Sequence, residues 1–339
     1  MINLLKKKEI FVNWLFASIV LVFSIIVVGG LTRLTNSGLS ITEWELFKGI
    51  LPPLNDNSWD MYFNLYKEIP QYKLLNFDMT LKEFKIIFYW EYFHRILGRV
   101  IGLFFLIPLI YFYFSKKINK QYIFSCFIIM ILILAQGFIG WYMVQSGLIN
   151  LTSVSHYRLA LHLGLAIIII CSIYWIFLNA KNETLNAFFI FTKKNSKYLF
   201  LIFVIFLQIL LGALVSGLDA GKLYQTWPLM GNSFVPNDLN YNFENFIDFN
   251  NHSLVQFYHR NLAYFISVYI LILAIDIYRK KNFKLYRSIN LLFLALLLQI
   301  FLGIITLISG LNIFLASAHQ ISSVLLIFSA VNLYYCYVK

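Results

Sequence analysis

Long apolar runs alternate with short polar segments from one end of the chain to the other. Eight of these runs reach about 20 residues, the length at which an α-helix spans the hydrocarbon core of a bilayer. They cover residues 12–31, 84–114, 121–144, 156–178, 197–218, 255–279, 286–309 and 313–338. The pattern predicts an all-α membrane protein with eight transmembrane helices.

The composition agrees with this class, and the charge distribution orients the chain. The 339 residues are 60% hydrophobic and 12% charged, with a net charge of +12, and a soluble domain of this size cannot bury so much apolar surface. Basic residues gather on one side of the predicted spans: Lys6, Lys7, Lys8, Lys116, Lys117, Lys120, Lys193, Lys194, Lys197 and the run from Arg279 to Arg287. This distribution places both termini in the cytoplasm. It indicates membrane lipid as a partner and no nucleic acid.

The first apolar run lies close to the N-terminus, where a targeting signal would also lie. It has no small-residue cleavage site, and no Arg/Ser-rich transit segment precedes it. We interpret it as a retained first helix, which favours a bacterial plasma (inner) membrane.

The two halves of the chain repeat the same motifs. The run from Gln136 to Gly140 and the Ser-Gly-Leu that follows it recur from Gln299 to Gly303, again with Ser-Gly-Leu after them. A further copy of the Gln-x3-Gly pattern begins at Gln208. The repeat predicts two pseudo-symmetric four-helix bundles, an N-terminal one over residues 1–180 and a C-terminal one over residues 181–339.

Each predicted bundle contains two histidines within apolar runs, His94 with His162 and His259 with His319. Ionisable side chains inside membrane helices are costly and usually mark a functional site. Paired imidazoles in a helical bundle are what a bis-histidine haem iron needs. A polar contact between helices is the alternative for any single histidine, but four matched positions favour two haem sites, both toward the periplasmic side.

Four arginines lie in or at the same apolar segments: Arg95, Arg99, Arg158 and Arg260. Most of them adjoin a histidine or stand one helical turn from it. Because guanidinium groups pair bidentately with carboxylates, we predict that they bind haem propionates.

The repeat differs three residues before the first histidine of each half, where Glu91 corresponds to Gln256. A carboxylate at this position could act as a base or stabilise developing positive charge. The alternative is a structural ion pair with Arg95, four residues later on the helix. The difference predicts chemistry in the first half and electron transfer in the second.

Two predicted outer segments, 29–44 and 224–231, combine glycines with tryptophans or prolines. They are either lids over the two sites or part of an aromatic belt at the membrane surface, and the sequence leaves both interpretations open.

The motifs together resemble those of the haem A synthase family. The matching segments are GGLTRLTNSGLSITEW, EYFHRILGR, GWYMVQSGL, YRLALHLG, LDAGKLYQTWPLMG, FYHR and ASAHQ. The resemblance implies an oxidoreductase that oxidises the C8 methyl of haem O to a formyl group by successive hydroxylations, giving haem A for cytochrome c oxidase. It also implies that His94 and His162 hold the substrate haem, that His259 and His319 ligate a resident haem b, and that Glu91 matters for catalysis.

One departure from the family pattern concerns the first outer loop. Some members carry a cysteine pair there, whereas residues 32–83 of this chain contain no cysteine. The chain is therefore similar to the cysteine-free branch of alphaproteobacterial and mitochondrial enzymes. The implied partners are haem O, the haem O synthase (a farnesyltransferase) that makes it, and an electron acceptor; a homo-oligomer is left open.

A different class of protein would share the paired histidines. A dihaem cytochrome b-type protein, which only transfers electrons across or along the membrane, also needs two bis-histidine sites. The difference between Glu91 and Gln256, together with the family motifs, favours the enzyme.

Overall fold

The computed structural model describes residues 2–43, 48–149, 151–239 and 246–339, with the side chains of residues 2–7 and 48 outside the description. The described chain is almost entirely helical. Its only β-pairing within these ranges is an isolated bridge between Met230 and Ser233.

Eight α-helices among the described residues are long and apolar enough to cross a membrane. They are α1 (Ile2–Leu34), α4 (Leu81–Ser115), α5 (Lys120–Ile149), α6 (His156–Asn182), α7 (Ser196–Gly217), α8 (His252–Arg279), α9 (Phe283–Ile308) and α10 (Ile313–Val338). The predicted all-α membrane fold is confirmed. Several of these helices extend past the apolar runs, because local caps rather than hydropathy end them. The predicted pseudo-symmetry of two four-helix bundles stays a prediction.

The contacts divide the chain into two compact units. One unit is Ala17–Ala166, and the other combines Met1–Phe16 with Ile167–Lys339. Both α1 and α6 run through this division. The domain boundary at residues 180 and 181, which the repeat predicts, stays a prediction.

The connection between α1 and α4 contains two short helices that the sequence analysis treats as loop. They are α2 (Asp56–Lys67) and α3 (Pro70–Leu75). The α2 helix begins at the N-cap Asn55, whose side chain accepts a hydrogen bond from the Ser58 amide. A capping box between Thr80 and Glu83 then starts α4, since each side chain satisfies a free amide of the first turn.

A hydrophobic cluster fixes this connection on the first half of α4. Trp59, Phe63 and Tyr66 form one stripe of α2, and they are buried against Phe84 and Phe88 of α4. The Trp59 and Phe88 rings meet edge to face, with centroids 5.0 Å apart. Such a stripe at helical spacing buries enough apolar area to hold an otherwise polar segment in place.

In the other unit, α7 packs on α8 and α10, and α9 packs on both α8 and α10. Buried aliphatic residues such as Ile270, Leu292 and Val331 line these contacts. The end of α10 is fixed by the buried Tyr335, whose hydroxyl donates to the carbonyl oxygen of Leu178 over 3.0 Å. These packed helices carry the second histidine pair.

Candidate haem-binding sites

The structure brings the four histidines together in the two predicted pairs. The ring centroids of His94 and His162 are 6.4 Å apart with an interplanar angle of 62°. Those of His259 and His319 are also 6.4 Å apart, at 84°. A metal–imidazole bond is about 2.0 to 2.1 Å long and a ring centre lies about 1.2 Å behind its nitrogen, so two rings on opposite sides of one metal have centres roughly 6.5 Å apart. Both pairs therefore have the spacing of shared axial ligands.

The edge of each imidazole lies against a glycine of a neighbouring helix. A Cβ atom added at the glycine would clash with the ring Cε1 atom at Gly29 and Gly303, and would make an unusually tight contact with it at Gly140 and Gly212. The distances are 2.9 Å for Gly29 and His94, 3.0 Å for Gly140 and His162, 3.2 Å for Gly212 and His259, and 2.9 Å for Gly303 and His319. The glycines thus let each ring press against a helix backbone, which limits its rotation.

Glutamines one helical turn before these glycines contact three of the rings. The shortest distances from the amide nitrogen to a ring nitrogen are 3.2 Å for Gln136 and His162, 3.2 Å for Gln208 and His259, and 3.4 Å for Gln299 and His319. Gln136 and Gln208 also donate to the carbonyl oxygens of their histidines, over 3.0 and 2.9 Å. The Gln-x3-Gly pattern was interpreted above only as a repeat, and the contact of its glutamines with the histidine rings was not predicted.

The donors present fit a haem better than a protein-only metal cage. Among the described residues no group of three or more His, Cys, Asp or Glu side chains could hold a metal ion. A tetrahedral zinc cage needs four protein donors, whereas a porphyrin supplies four nitrogens and needs two axial ligands. The buried Nδ1 atoms of His94 and His319 have no hydrogen-bond partner in the described part of the chain, which suits rings whose orientation a metal completes.

Glu91 is buried beside the first histidine and has four close donors. Its Oε1 atom accepts from Arg95, with Nη2 at 2.6 Å and Nε at 3.0 Å. Its Oε2 atom accepts from the Ser40 hydroxyl at 2.8 Å and the Ile41 amide at 2.9 Å. The ion pair that the sequence analysis weighs as an alternative is therefore present, and these donors stabilise the ionised carboxylate.

The corresponding residues of the second half make a similar contact without a charge pair. Gln256 Nε2 and Arg260 Nη2 both donate to the carbonyl oxygen of Tyr224, each over 2.8 Å. Arg260 Nη1 also reaches the carbonyl oxygens of Thr226 and Leu229. In the first half, Arg95 likewise donates to the Ile41 carbonyl oxygen over 2.8 Å. Each arginine thus ties a connecting segment to the helix that carries a histidine.

The other two arginines contact main-chain oxygens too. Arg99 donates to Gly49 over 3.2 Å, and Arg158 donates to Tyr142 over 2.6 Å while its guanidinium lies 3.7 Å above the Tyr142 ring. Both lie in the same unit as the first histidine pair. Propionate binding by the four arginines stays a prediction.

The predicted lid segments are only partly within the described residues. Residues 44–47, which include Trp44, lie outside them. Ile41 and Tyr224 are held next to the histidine helices by the contacts above, as a lid would be. Trp227 is 46% exposed, as an aromatic-belt residue would be.

Asp238 fixes the connection between α7 and α8 near Tyr224. Its carboxylate accepts hydrogen bonds from the Tyr224 hydroxyl, over 2.7 Å, and from the Ser253 hydroxyl. Burial opposes ionisation, but these hydrogen bonds outweigh it and hold the pKa of Asp238 below its usual value of 3.8. The hydrogen bond to Asp238 conversely raises the pKa of Tyr224, because it stabilises the protonated phenol.

Comparisons with known proteins show which family the chain is similar to. A family model described as "Cytochrome oxidase assembly protein" (COX15-CtaA) matches residues 12–331. A protein of Pelagibacter ubique named Heme A synthase is 49% identical, over 96% of this chain and 95% of that protein. Proteins of the same name from Rickettsia felis and Rickettsia bellii are 42% and 44% identical, each over more than nine tenths of both chains.

Proposed function

The chain belongs to the COX15-CtaA family of cytochrome oxidase assembly proteins, and we propose that it acts as a haem A synthase. It is a multi-pass membrane oxidoreductase that converts haem O to haem A for cytochrome c oxidase. The observation that carries the proposal is the pair of histidine sites, each with ring centroids 6.4 Å apart, in a chain whose relatives bear that name.

The two sites have different tasks in this proposal. His94 and His162 hold the substrate haem, and His259 and His319 ligate a resident haem b. When bound, haem O supplies the methyl group that is oxidised, and haem b supplies an iron that carries electrons. The charge difference between Glu91 and Gln256 supports this assignment, because only the first pair has a buried carboxylate three residues from a ligand.

Glu91 contributes a fixed negative charge to the first site. Its carboxylate oxygens accept hydrogen bonds from Arg95, Ser40 and Ile41, which complement a negative charge. It therefore stabilises positive charge that develops near His94, which is one of the two roles open to it from the sequence. Its donors also fix its position, so little reorganisation is needed during the reaction.

The arginines bind the carboxylate groups of the substrate and cofactor. Arg158 uses Nη1 for the Tyr142 carbonyl oxygen, and a guanidinium has five N–H groups, so further donors suit a propionate. Arg260 is placed one residue from His259, and Arg95 one residue from His94, with Arg99 one turn further along α4. Their main-chain contacts couple haem binding to the connecting segments.

The membrane setting follows from the charge distribution. The basic segments favour a bacterial plasma membrane with both termini in the cytoplasm and the two sites toward the periplasm. Haem O is received from the haem O synthase, and electrons leave to an acceptor in or at the membrane. A homo-oligomer is compatible with this arrangement.

Pigment analysis of the purified protein tests the proposal. We expect a low-spin bis-histidine spectrum and, on extraction, haem b with smaller amounts of haems O and A. His259→Ala should remove haem b, whereas His162→Ala should remove haems O and A and leave haem b. His252→Ala, outside both pairs, is the matched control and should leave the pigments unchanged. Haem b alone at two per chain would instead support the dihaem cytochrome b.

A further inference from the structure

Each of the four histidine rings contacts a glycine of a neighbouring helix, and three of the rings also contact a glutamine amide. His162, His259 and His319 each have a glutamine nitrogen within 3.5 Å of a ring nitrogen. In α1 the position four residues before Gly29 is Ile25. The helix next to His94 therefore has an aliphatic side chain at the position where the helices next to the other three histidines have an amide.

The amides do more than fill space. Hydrogen-bond partners of a metal-binding imidazole fix its orientation and strengthen it as a ligand. The amide nitrogens of Gln136 and Gln208 face the rings and also donate to the carbonyl oxygens of His162 and His259. Each amide therefore ties both the ring and the backbone of its histidine to the neighbouring helix. Gln299 is fixed by the Ser322 hydroxyl, which contacts both its Oε1 atom and the His319 carbonyl oxygen.

His94 has the steric contact alone. The Cβ built at Gly29 lies 2.9 Å from its Cε1 atom, as close as any of the four. Its buried Nδ1 atom has no hydrogen-bond partner in the described ranges. Ile25 faces the same helix, since its Cδ1 atom is the nearest neighbour of a Cβ built at Gly98, one turn after His94. An aliphatic group there makes no hydrogen bond to the ring or to the main chain of His94.

We infer that His94 is the releasable iron ligand of the first site, and that haem O enters and haem A leaves on the side of α1 and α4. This inference rests on the proposed function. A substrate site must let its haem go after each turnover, while a resident cofactor must stay. Ile25 in place of a glutamine weakens one of the two axial ligands, so that His162 keeps hold of the haem while His94 opens.

Haem release from the full-length protein tests this inference. The purified protein is loaded with haem O, and transfer to excess apomyoglobin is followed by absorbance. We expect a fast phase from the first site and a slow phase from the second. Ile25→Gln should slow the fast phase about ten-fold, since outer partners of a metal-binding histidine change affinity by about 10- to 100-fold. Ile25→Leu, which keeps an aliphatic group, is the control and should leave both phases unchanged.

A reciprocal variant keeps the test independent of how well Ile25→Gln folds. Gln299→Leu removes the amide from His319, so it should speed the slow phase about ten-fold. If two haems bind and neither variant changes its phase, the inference is wrong while the proposed function stands. If the first site binds no haem in the unaltered protein, both the inference and the proposed function are wrong.

Discussion

Two connections, from α1 to α4 and from α7 to α8, are tied in nearly the same way to the helices that carry His94 and His259. Only the first connection uses a charge pair. Arg95 and Arg260 each donate to a main-chain oxygen of the connection over 2.8 Å. Beside them stand Glu91 in the first half and Gln256 in the second. Since the neutral amide also holds a connection in place, the architecture alone does not require the carboxylate.

The ion pair also has an energetic disadvantage that the amide avoids. The Glu91 and Arg95 side chains are only 4% and 13% exposed, and removing two charges from water costs several kcal/mol that their attraction only partly offsets. A neutral pair of similar shape is often as stable. The carboxylate in the first half therefore needs an explanation outside stability, and the proposed stabilisation of charge during the reaction is such an explanation.

The strongest test of this comparison makes the first half like the second. In Glu91→Gln the amide oxygen can take the place of Oε2 and still accept from Ser40 and Ile41, while the amide nitrogen replaces the oxygen that accepts from Arg95. Arg95 keeps its hydrogen bond to the Ile41 carbonyl oxygen, so haem content and the fold of the connection should survive. Turnover should fall about 100- to 1,000-fold, which is the usual effect of removing one preorganised electrostatic group. The measurements are haem A formed per haem b and hydrogen exchange at Ile41.

The reverse exchange is the matched control. Gln256→Glu adds a carboxylate beside Arg260, and we expect the haem b spectrum to stay unchanged because the proposed function assigns no oxidation to that half. Full turnover in Glu91→Gln would show that Glu91 is only a partner for Arg95. Loss of turnover together with rapid exchange at Ile41 would show that its role is structural.

A second test addresses what the two halves share. Gly29→Ala and Gly303→Ala each place a Cβ 2.9 Å from a histidine Cε1 atom, so the ring must shift. Overpacking of this kind costs about 1 to 3 kcal/mol, against roughly 1 kcal/mol gained in helix propensity. We expect each variant to lower haem retention by about ten-fold at its own site, as measured by pigment content after gel filtration.

The control for these variants is a glycine with space around it. A Cβ at Gly137 in α5 would have no neighbour within 4 Å, so Gly137→Ala should keep both haems. If Gly29→Ala weakened the site of His259 instead, the assignment of glycines to separate sites would be wrong.

Much of this architecture could be predicted from the sequence because it depends on run length and residue type. Apolar runs of about 20 residues identify spans almost without context, and matched histidines in such runs predict the two pairs that the structure brings together. The helix α2 was missed because charged residues interrupt the segment 32–83 and leave it without a long apolar run, although Trp59, Phe63 and Tyr66 follow helical spacing. That stripe was readable as an amphipathic helix.

The contacts around Glu91 could not be predicted in the same way. Its bonds to Ser40 and Ile41 join residues about 50 positions apart, and no local pattern encodes such pairs. The Gln-x3-Gly repeat is an intermediate case. Its spacing showed that the glutamine and the glycine lie on one face of a helix. That this face contacts a histidine became clear only from the packed helices.

The smallest expected effect concerns how firmly the second connection is held. Because the pKa of Asp238 is lower in the folded protein than its usual value of 3.8, the carboxylate form favours the folded connection. This contribution to the stability of the connection is complete at pH values above the usual pKa. It is lost as the pH falls through the pKa that Asp238 has in the folded protein. Exposure of the side chain limits it to under about 1 kcal/mol. Hydrogen exchange at Tyr224, expressed relative to the intrinsic rate of an unprotected amide at each pH, should therefore accelerate between about pH 5 and about pH 3.

Asp238→Asn should remove this pH dependence, because its amide does not titrate in that range. Asp248→Asn, in the same connection but bonded to Asn250, should keep it. The first connection depends on the buried pair of Glu91 and Arg95, which is better shielded from solvent than Asp238. Exchange at Ile41 should thus change less than exchange at Tyr224 over the same pH range. Equal acceleration at both positions would mean that acid loosens the membrane helices themselves, and that the two connections do not differ in how they are anchored.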